Sequence, residues 1–382
     1  MPEFLLYLIH VLFFLSQEDT GPAISNLWIL LPAAMQHSVT KRDIIIIGAL
    51  NMDMLFASNR PLGIGESINA LSFTKLYGGK GANTAIAAYR LSHKRPETST
   101  KEVSDSNTDV IQCEANLTAA IDIRVALHGA VGGDEYGEQL RGYLAAVGVD
   151  VSKVDMLPMS PSGICCVLVN SITGESSNIA YQGANMNWQP SEALMGNLRS
   201  GKKPDLVILH LDTSIEAVTK VLRTTAQHGV DTLLNPSPTA DLDPQIYQNL
   251  THLILNESEA ARLTRKDLNR FTTEDAWKGA GRYFVDQGVE HVVITLGAKG
   301  AYYMTASESG LVIPARTVAS VDTTGAGDTF VGMYAVEYVK TKRLGTWNVA
   351  TAVERACKAA ALSVGGLGAQ DSIPWSDFSD SQ

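Results

Sequence analysis

Asp322-Thr-Thr-Gly-Ala-Gly-Asp328-Thr-Phe sets a glycine turn and an acid directly before an apolar run. Gly325 and Gly327 open backbone angles closed to other residues, and with Ala326 they leave no bulk to keep an anion from the main chain. From Thr329 onward, Phe330, Val331, Met333, Tyr334, Val336, Tyr338 and Val339 recur at three-and-four spacing, which predicts a half-buried helix starting at the turn. The amides of Gly325 to Asp328 would then point, with the positive helix end, at one phosphate and form an anion hole. Asp328 would stand in the first turn, placed to take a proton from an attacking hydroxyl, as phosphoryl transfer requires. The competing reading makes Asp328 a helix cap.

A second cluster, Tyr77-Gly-Gly-Lys80-Gly-Ala-Asn83, precedes Ile86, Ala87, Tyr89 and Leu91 and predicts another turn feeding a helix. It has neither the Gly-Lys-Ser/Thr ending of a Walker loop nor the spacing of a dinucleotide fingerprint. Its donors, Lys80 and Asn83 with bare backbone between them, suit a polyol or sugar. A tight strand-to-helix connection with a solvated lysine is the alternative.

These turns need a scaffold. Ile44–Ile47, Val125–Leu127, Leu206–Leu209, Thr232–Leu234, Leu253–Leu255 and Val292–Ile294 read as short strands apolar on both faces, as in parallel sheets. Glu135–Ala146, Ile215–Gln227 and Thr273–Gln287 read as the helices between them. The pattern predicts a three-layer α/β/α doubly wound sheet with ligands beyond the carboxyl ends of its strands. Residues 57–76 and 163–181 break the pattern, and the second alternates like an exposed sheet. Residues 93–120 are polar and aperiodic and predict a disordered insertion.

The chain is 382 residues long and 45% hydrophobic, enough for a sizeable core. A net charge of −10 and the lack of a long Lys/Arg run argue against a polyanion-binding surface, so no nucleic-acid partner is expected. Adjacent Cys165 and Cys166 in an apolar run read as reduced core thiols, which fits the cytosol. The histidines lack metal-ligand spacing, so no zinc site is expected. Residues 1–40 are expected to be a poorly packed extension, with Met35 as an alternative initiator. Phe4–Leu15 is apolar but shorter than the roughly twenty residues of a membrane span, so no membrane partner is expected; a tether remains the minor alternative.

The two glycine clusters, in this order and separation, resemble the ribokinase-like family of sugar kinases, also called the PfkB family. The resemblance runs from about Ile44 to Pro374 and gives a kinase domain of residues 41–375 followed by a tail, 376–382. Asn51-Met-Asp53, Asn235-Pro-Ser-Pro238, Asn256-Glu-Ser-Glu259, Thr295-Leu-Gly-Ala-Lys-Gly300 and Gly368-Ala-Gln-Asp-Ser-Ile-Pro374 match as well and point to the family's ribose kinases. The resemblance implies a ribokinase-like fold in which 57–76 and 163–181 form a small β lid over the sugar that pairs two subunits.

It also implies an activity: ATP phosphorylates the 5-hydroxyl of D-ribose, with Asp328 as base and Gly325, Ala326, Gly327 and Asp328 as anion hole, in the cytoplasm and also the nucleus. The sugar would meet Asn51, Met52, Asp53, Gly79, Lys80, Gly81, Ala82, Asn83, Asp212 and Asp328. Asp212 stands where the family's ribose kinases carry a glutamate, one methylene longer. ATP would meet Asn256, Thr295, Leu296, Gly297, Ala298, Lys299, Gly300, Gly327, Asp328 and Cys357, the last where a histidine often stands. Magnesium would be bound through water by Glu259, and potassium by Asp322, Thr324, Ser363, Gly366, Gly368 and Ser372. Asn51 and Asp53 have a plain reading as a turn, and Asn256 to Glu259 as an acidic helix start. Asn235 to Pro238 read as loop architecture rather than a ligand contact. A kinase for another sugar or a nucleoside, and a non-catalytic sugar-binding protein of the same fold, are the rival functions; Asp212 supports the former.

Overall fold

The computed structural model describes residues 40–96, 121–172, 176–201, 203–248, 250–314 and 320–379. The extension before Thr40, with its apolar stretch, and residues 97–120 of the expected insertion lie outside the described residues. Of the described residues, all but Thr40, Ile121 and Asp122 fall in one compact unit.

Thirteen strands are described: β1 (Thr40–Ile47), β2 (Asn51–Ser58), β3 (Ser72–Gly78), β4 (Ile121–Gly132), β5 (Asp150–Leu157), β6 (Gly163–Asn170), β7 (Ser176–Tyr181), β8 (Leu206–His210), β9 (Thr232–Asn235), β10 (His252–Asn256), β11 (His291–Thr295), β12 (Ala301–Met304) and β13 (Ser309–Val312). The described α-helices are α1 (Lys80–Ser92), α2 (Glu135–Val147), α3 (Glu192–Arg199), α4 (Ile215–His228), α5 (Glu257–Leu263), α6 (Glu274–Asp286), α7 (Ala326–Thr341) and α8 (Val349–Ser363). All six expected strands and all three expected helices are among them.

Nine strands form one sheet in the order β13-β12-β11-β10-β9-β8-β1-β4-β5. Neighbours from β1 through β8, β9 and β10 to β11 run parallel, and β12 and β13 add an antiparallel edge. Ile44, Ile46, Leu206 to Leu209, Leu253 to Leu255 and Val292 to Ile294 are buried, which is why these runs carry no polar face. Each such side chain contributes roughly 1.5–3 kcal/mol. The parallel strands put the residues after β1, β8, β9, β10 and β11 along one edge of the sheet. The order also reverses beside β1, where a doubly wound sheet opens a crevice.

The two helices predicted after the glycine clusters are α1 and α7. The expected half-buried face of α7 is a correction, since it is buried on every side from Asp328 to Val339 because α1 and α8 flank it. Contact with α1 is close enough that a Cβ on Gly332 would lie 2.6 Å from Ala87 Cβ and 2.8 Å from the Ala88 nitrogen.

A second, four-stranded sheet has the order β3-β2-β6-β7 and corresponds to the expected lid. It begins at Asn51 rather than residue 57, because the chain leaves β1 and enters β2 after only Gly48, Ala49 and Leu50. Asn51, Met52 and Asp53 are therefore strand residues and not a turn. Asp53, Leu76, Cys165 and Ala180 stand opposite one another on one face. The other face carries Phe56, Phe73 and Ile179, of which Phe73 is 50% and Ile179 72% exposed. Cys165 and Cys166 lie half-buried on β6, not in the core, and are free thiols. The tail is docked at its start, where the Ser376 N–H donates to the His93 carbonyl at 3.1 Å.

Gly332→Leu would force α1 and α7 apart and should lower the stability by about 1–3 kcal/mol, read as an earlier urea-unfolding midpoint. An unchanged midpoint would show that the helices tolerate separation.

Candidate active site

The sugar-side expectation is assembled by a short connection and a helix start. Between β1 and β2 the chain passes over the N-terminus of α1, and the Ala82 N–H donates to the Ala49 carbonyl at 3.1 Å. Gly79 has φ 94°, and a Cβ there would lie 2.4 Å from that carbonyl. A Cβ on Gly81 would lie 2.5 Å from the Gly48 carbonyl carbon, so the two glycines let helix and strand exit touch. Met52, Gly81 and Ala82 are buried by this packing. Asn51 is buried too, and its Oδ1 accepts from Asn185 Nδ2 at 2.9 Å.

Asp212 follows β8 and is 4% exposed. Its Oδ1 accepts from the Ala49 N–H at 3.0 Å and its Oδ2 from the Lys80 N–H at 2.9 Å. The carboxylate is thus turned to the backbone, where its short side chain holds the exit of β1 against the start of α1. Burial pushes this carboxyl up to about 6, against those hydrogen bonds and the Lys80 charge.

Asp328 stands in the first turn of α7, 5% exposed. The helix is capped by Gly325 with φ 77°, and the aspartate makes no capping bond. Its Oδ2 instead accepts from Asn83 Nδ2 at 2.8 Å, which removes the cap alternative. Burial raises its pKa, opposed by the Lys80 ammonium and the Asn83 amide. Lys80 is raised in turn, chiefly by Asp328, with Asp212 and Glu259 adding to it. Asp53 is pushed up to about 7 by burial and by the charge of Asp328. His210, hydrogen-bonded to Thr84 and Asn235, is driven down to about 3 by burial and so is neutral near pH 7.

The expected anion hole is narrower than the four amides, since the Ala326 N–H donates to the Thr323 carbonyl at 3.3 Å. The N–H groups of Gly327 and Asp328 belong to the first helical turn, whose amides have no intrahelical partner. A Cβ on Gly325 would lie 2.6 Å from the Ala369 carbonyl oxygen, whereas a Cβ on Gly327 would meet nothing within 4 Å. Gly325 is therefore required by the fold, and Gly327 faces open space.

That space is a cavity of about 660 Å³ lined by Lys80, Asn256, Glu259, Thr295, Gly297, Ala298, Gly300, Gly327, Asp328 and Cys357, all expected at the site. Two expected nucleotide contacts do not line it. Leu296 is buried in the core, and Lys299 pairs with Glu257 at 3.3 Å. Asn256 and Glu259 do form a capping box, with Asn256 Oδ1 accepting from the Glu259 N–H and Glu259 Oε2 from the Asn256 N–H, both at 2.9 Å. The plain reading of that pair is thus met, although both residues also line the cavity. Burial pushes the Cys357 thiol up to about 12, so it lines the cavity uncharged.

Residues missed by sequence reasoning line it too: Phe330, Leu268, Asn235 and Ser237. Asn235 donates to the Ile254 carbonyl at 2.8 Å, and a cis Ser237–Pro238 bond follows. The prolines around Asn235 hid a polar lining residue behind a loop signature.

The residues expected to bind potassium are also brought together. Asp322 accepts from the Thr324 N–H and from the Gly368 N–H, each at 2.9 Å. Ser372 donates to the Ser363 carbonyl, and a Cβ on Gly366 would lie 2.9 Å from Ser372 Cβ.

Two helix starts meet at a buried carboxylate that also lines a cavity, an arrangement suited to stabilising a transferring phosphoryl group. The chain belongs to the pfkB family of carbohydrate kinases, whose profile matches residues 41–376. It is 30% identical over 333 residues to a deoxyribokinase of Salmonella typhi, covering 87% of this chain and 95% of that one. It is equally 30% identical, over 334 residues, to a ribokinase of Schizosaccharomyces pombe, with the same coverage. Among solved structures it superposes on an Arabidopsis thaliana ribokinase complexed with ribose and ATP, with TM-score 0.72 and 24% identity over 88% of this chain and 97% of that one. A ribokinase from Giardia lamblia gives the same score and identity over 89% and 97%. The fold is ribokinase-like, and the protein is a kinase of this family.

Gly325→Ala should destabilise the protein, through both its φ and its collision with Ala369, and Gly327→Ala should not. Gly327→Ala should instead lower kinase turnover by an order of magnitude or more by obstructing the open space. Equal melting temperatures for both variants would contradict this division. For Asp53, a folded value near 7 against 3.8 when free means stability that is full below about pH 4 and lost as pH rises through 7. Asp53→Asn escapes that loss, so its melting temperature relative to the parent should rise by about 2–4 °C between pH 5 and 8. Parallel melting curves would contradict it.

Proposed function

We propose that the protein transfers the γ-phosphoryl group of ATP to the 5-hydroxyl of D-ribose, giving D-ribose 5-phosphate and ADP. The observation that carries this reading is the buried Asp328, held by Asn83 at 2.8 Å and set on the wall of the open cavity beside Gly327. The sugar lies between the Asp53 face of the lid and the start of α1, and ATP in the cavity. Asp328 takes the proton of the 5-hydroxyl as that oxygen attacks the γ-phosphorus in line. The bond to the β–γ bridging oxygen breaks, and ADP leaves with the electron pair. The Gly327 and Asp328 amides and the positive end of α7 stabilise the charge on the passing phosphoryl group. Lys80 favours the ionised form of Asp328 against the cost of its burial.

Asp328, Asp212 and Glu259 all act on Lys80, an acidic surrounding that opposes a bare triphosphate. No cluster of three or more His, Cys, Asp or Glu fit to hold a metal exists among the described residues. Magnesium would accordingly arrive on the nucleotide, held through water by Glu259, and would neutralise phosphate charge. Potassium would fit between Asp322 and the loop from Ser363 to Ser372, steadying the turn that carries Gly325. The exposed apolar face of the lid, with Phe73 and Ile179, supports pairing of two copies through it.

The second reading is a kinase of this family acting on another sugar, such as 2-deoxy-D-ribose, or on a nucleoside. It is favoured by Asp212, whose two oxygens serve the backbone and leave a sugar hydroxyl less firmly held. A coupled assay of ADP release across pentoses, hexoses and nucleosides, with magnesium and with potassium or sodium, separates the two. D-Ribose should give the highest kcat/KM, and Asp328→Asn should lose at least about a thousandfold in kcat with sugar binding kept. Near-normal turnover by Asp328→Asn would refute the assigned base, and a preferred acceptor other than ribose would replace the substrate.

A further inference from the structure

Gln370 lies in the loop that follows α8, 3% exposed, and no role follows for it from the sequence. Its Nε2 donates to Asn83 Oδ1 at 2.7 Å, and Asn83 Nδ2 donates to Asp328 Oδ2 at 2.8 Å. The main chain of Gln370 is itself held, because Arg90 Nη1 donates to its carbonyl at 2.6 Å and to that of Ile373 at 3.4 Å. The Arg90 guanidinium lies over the Trp375 ring, 5.5 Å from its centroid. The far oxygen of the Gln370 amide, Oε1, is buried with no partner among the described residues. Its donor side is what holds the amide in place.

The direction of these bonds follows from donor and acceptor types. An ionised carboxylate only accepts, so Asn83 must show Asp328 its NH₂. Its carbonyl oxygen then faces Gln370, which must answer with a donor. A lone Asn83 amide could turn over, showing Asp328 a carbonyl and favouring the protonated acid.

We propose that Gln370 is a positioning residue that locks the Asn83 amide with its NH₂ toward Asp328, keeping that aspartate ionised and aimed for proton abstraction. The inference rests on the reading of Asp328 as the base. Other charges facing Asp328 are Lys80 at the start of α1, Asp53 on β2 and Asp212 after β8, with Glu259 at the start of α5 acting on Lys80. Replacing Gln370 moves none of them. Asn83 donation favours the charged form, so its loss raises the Asp328 pKa, and the acid limb of kcat/KM moves to higher pH.

The test compares the full-length protein with Gln370→Leu and Gln370→Glu. Carboxyl-carbon NMR of 13C-aspartate protein follows the titration of Asp328, assigned by the signal lost in Asp328→Asn. The pH profile of kcat/KM is measured with magnesium-ATP and whichever of D-ribose and 2-deoxy-D-ribose the parent turns over faster. Both variants should titrate higher than the parent by about one pH unit. Gln370→Glu should move further, since a carboxylate cannot donate to Asn83 and turns its amide over. The acid limb should shift by the same amount.

An unshifted titration in Gln370→Leu would overturn the proposal, whether kcat/KM falls evenly at all pH values or Gln370→Glu shifts alone through its charge. Should a variant not fold, the parent protein decides, because the side-chain 15N resonances of Asn83 and Gln370 must both follow the Asp328 titration. A Gln370 resonance that does not follow it would overturn the proposal equally. Turnover kept by Asp328→Asn would sink the base assignment alone, with the titrations still deciding the role of Gln370.

Discussion

A carboxylate buried at the meeting point of two helix starts is the constraint to which the rest of this protein answers. Removing an ionised aspartate from water costs several kcal/mol unless charges and donors replace the solvent. For Asp328 the replacements are the Lys80 ammonium, the Asn83 amide and the first turn of α7. Each depends on α1 and α7 lying close together. That closeness rests on small residues: Gly332 against Ala87 and Ala88 between the helices, and Gly48 against Gly81 where the sheet meets α1. Asp212 closes the arrangement by binding the Ala49 and Lys80 amides at once.

The same geometry divides the labour of the site. The lid strand β2 leaves the large sheet beside α1, so the strand that carries Asp53 and a helix start are joined with only Gly48 to Leu50 between β1 and β2. The cavity is lined by Asp328 and by residues that follow β9, β10 and β11. An acceptor beside Asp53 and a nucleotide in the cavity would share one carboxylate and one pair of amides. Transfer would then need no group that carries the phosphoryl in between.

Much of this was legible because it is local. Glycine turns before apolar runs announced both helix starts, and runs apolar on both faces announced the parallel strands. What escaped depended on contacts far apart in sequence. The direction of Asp212 is set 163 positions away at Ala49, and Gln370 meets Asn83 across 287 positions. Neither pairing leaves a periodic trace. The full burial of α7 escaped for a related reason: three-and-four spacing marks one apolar face, and only the flanking helices decide whether Gly332 and Ala335 are covered too. Asn256 and Glu259 had two readings in the sequence, and the structure gives them the capping geometry of one and the cavity position of the other.

The central claim is that sugar and nucleotide meet at Asp328 and exchange the phosphoryl group in a single in-line step. The most direct measurement is the stereochemical course at phosphorus, followed with ATP made chiral at its γ-phosphorus by oxygen isotopes and sulfur. The account predicts inversion of configuration in the sugar phosphate. Retention would contradict it, because two displacements would require a phosphorylated protein group that a direct transfer at Asp328 does not use.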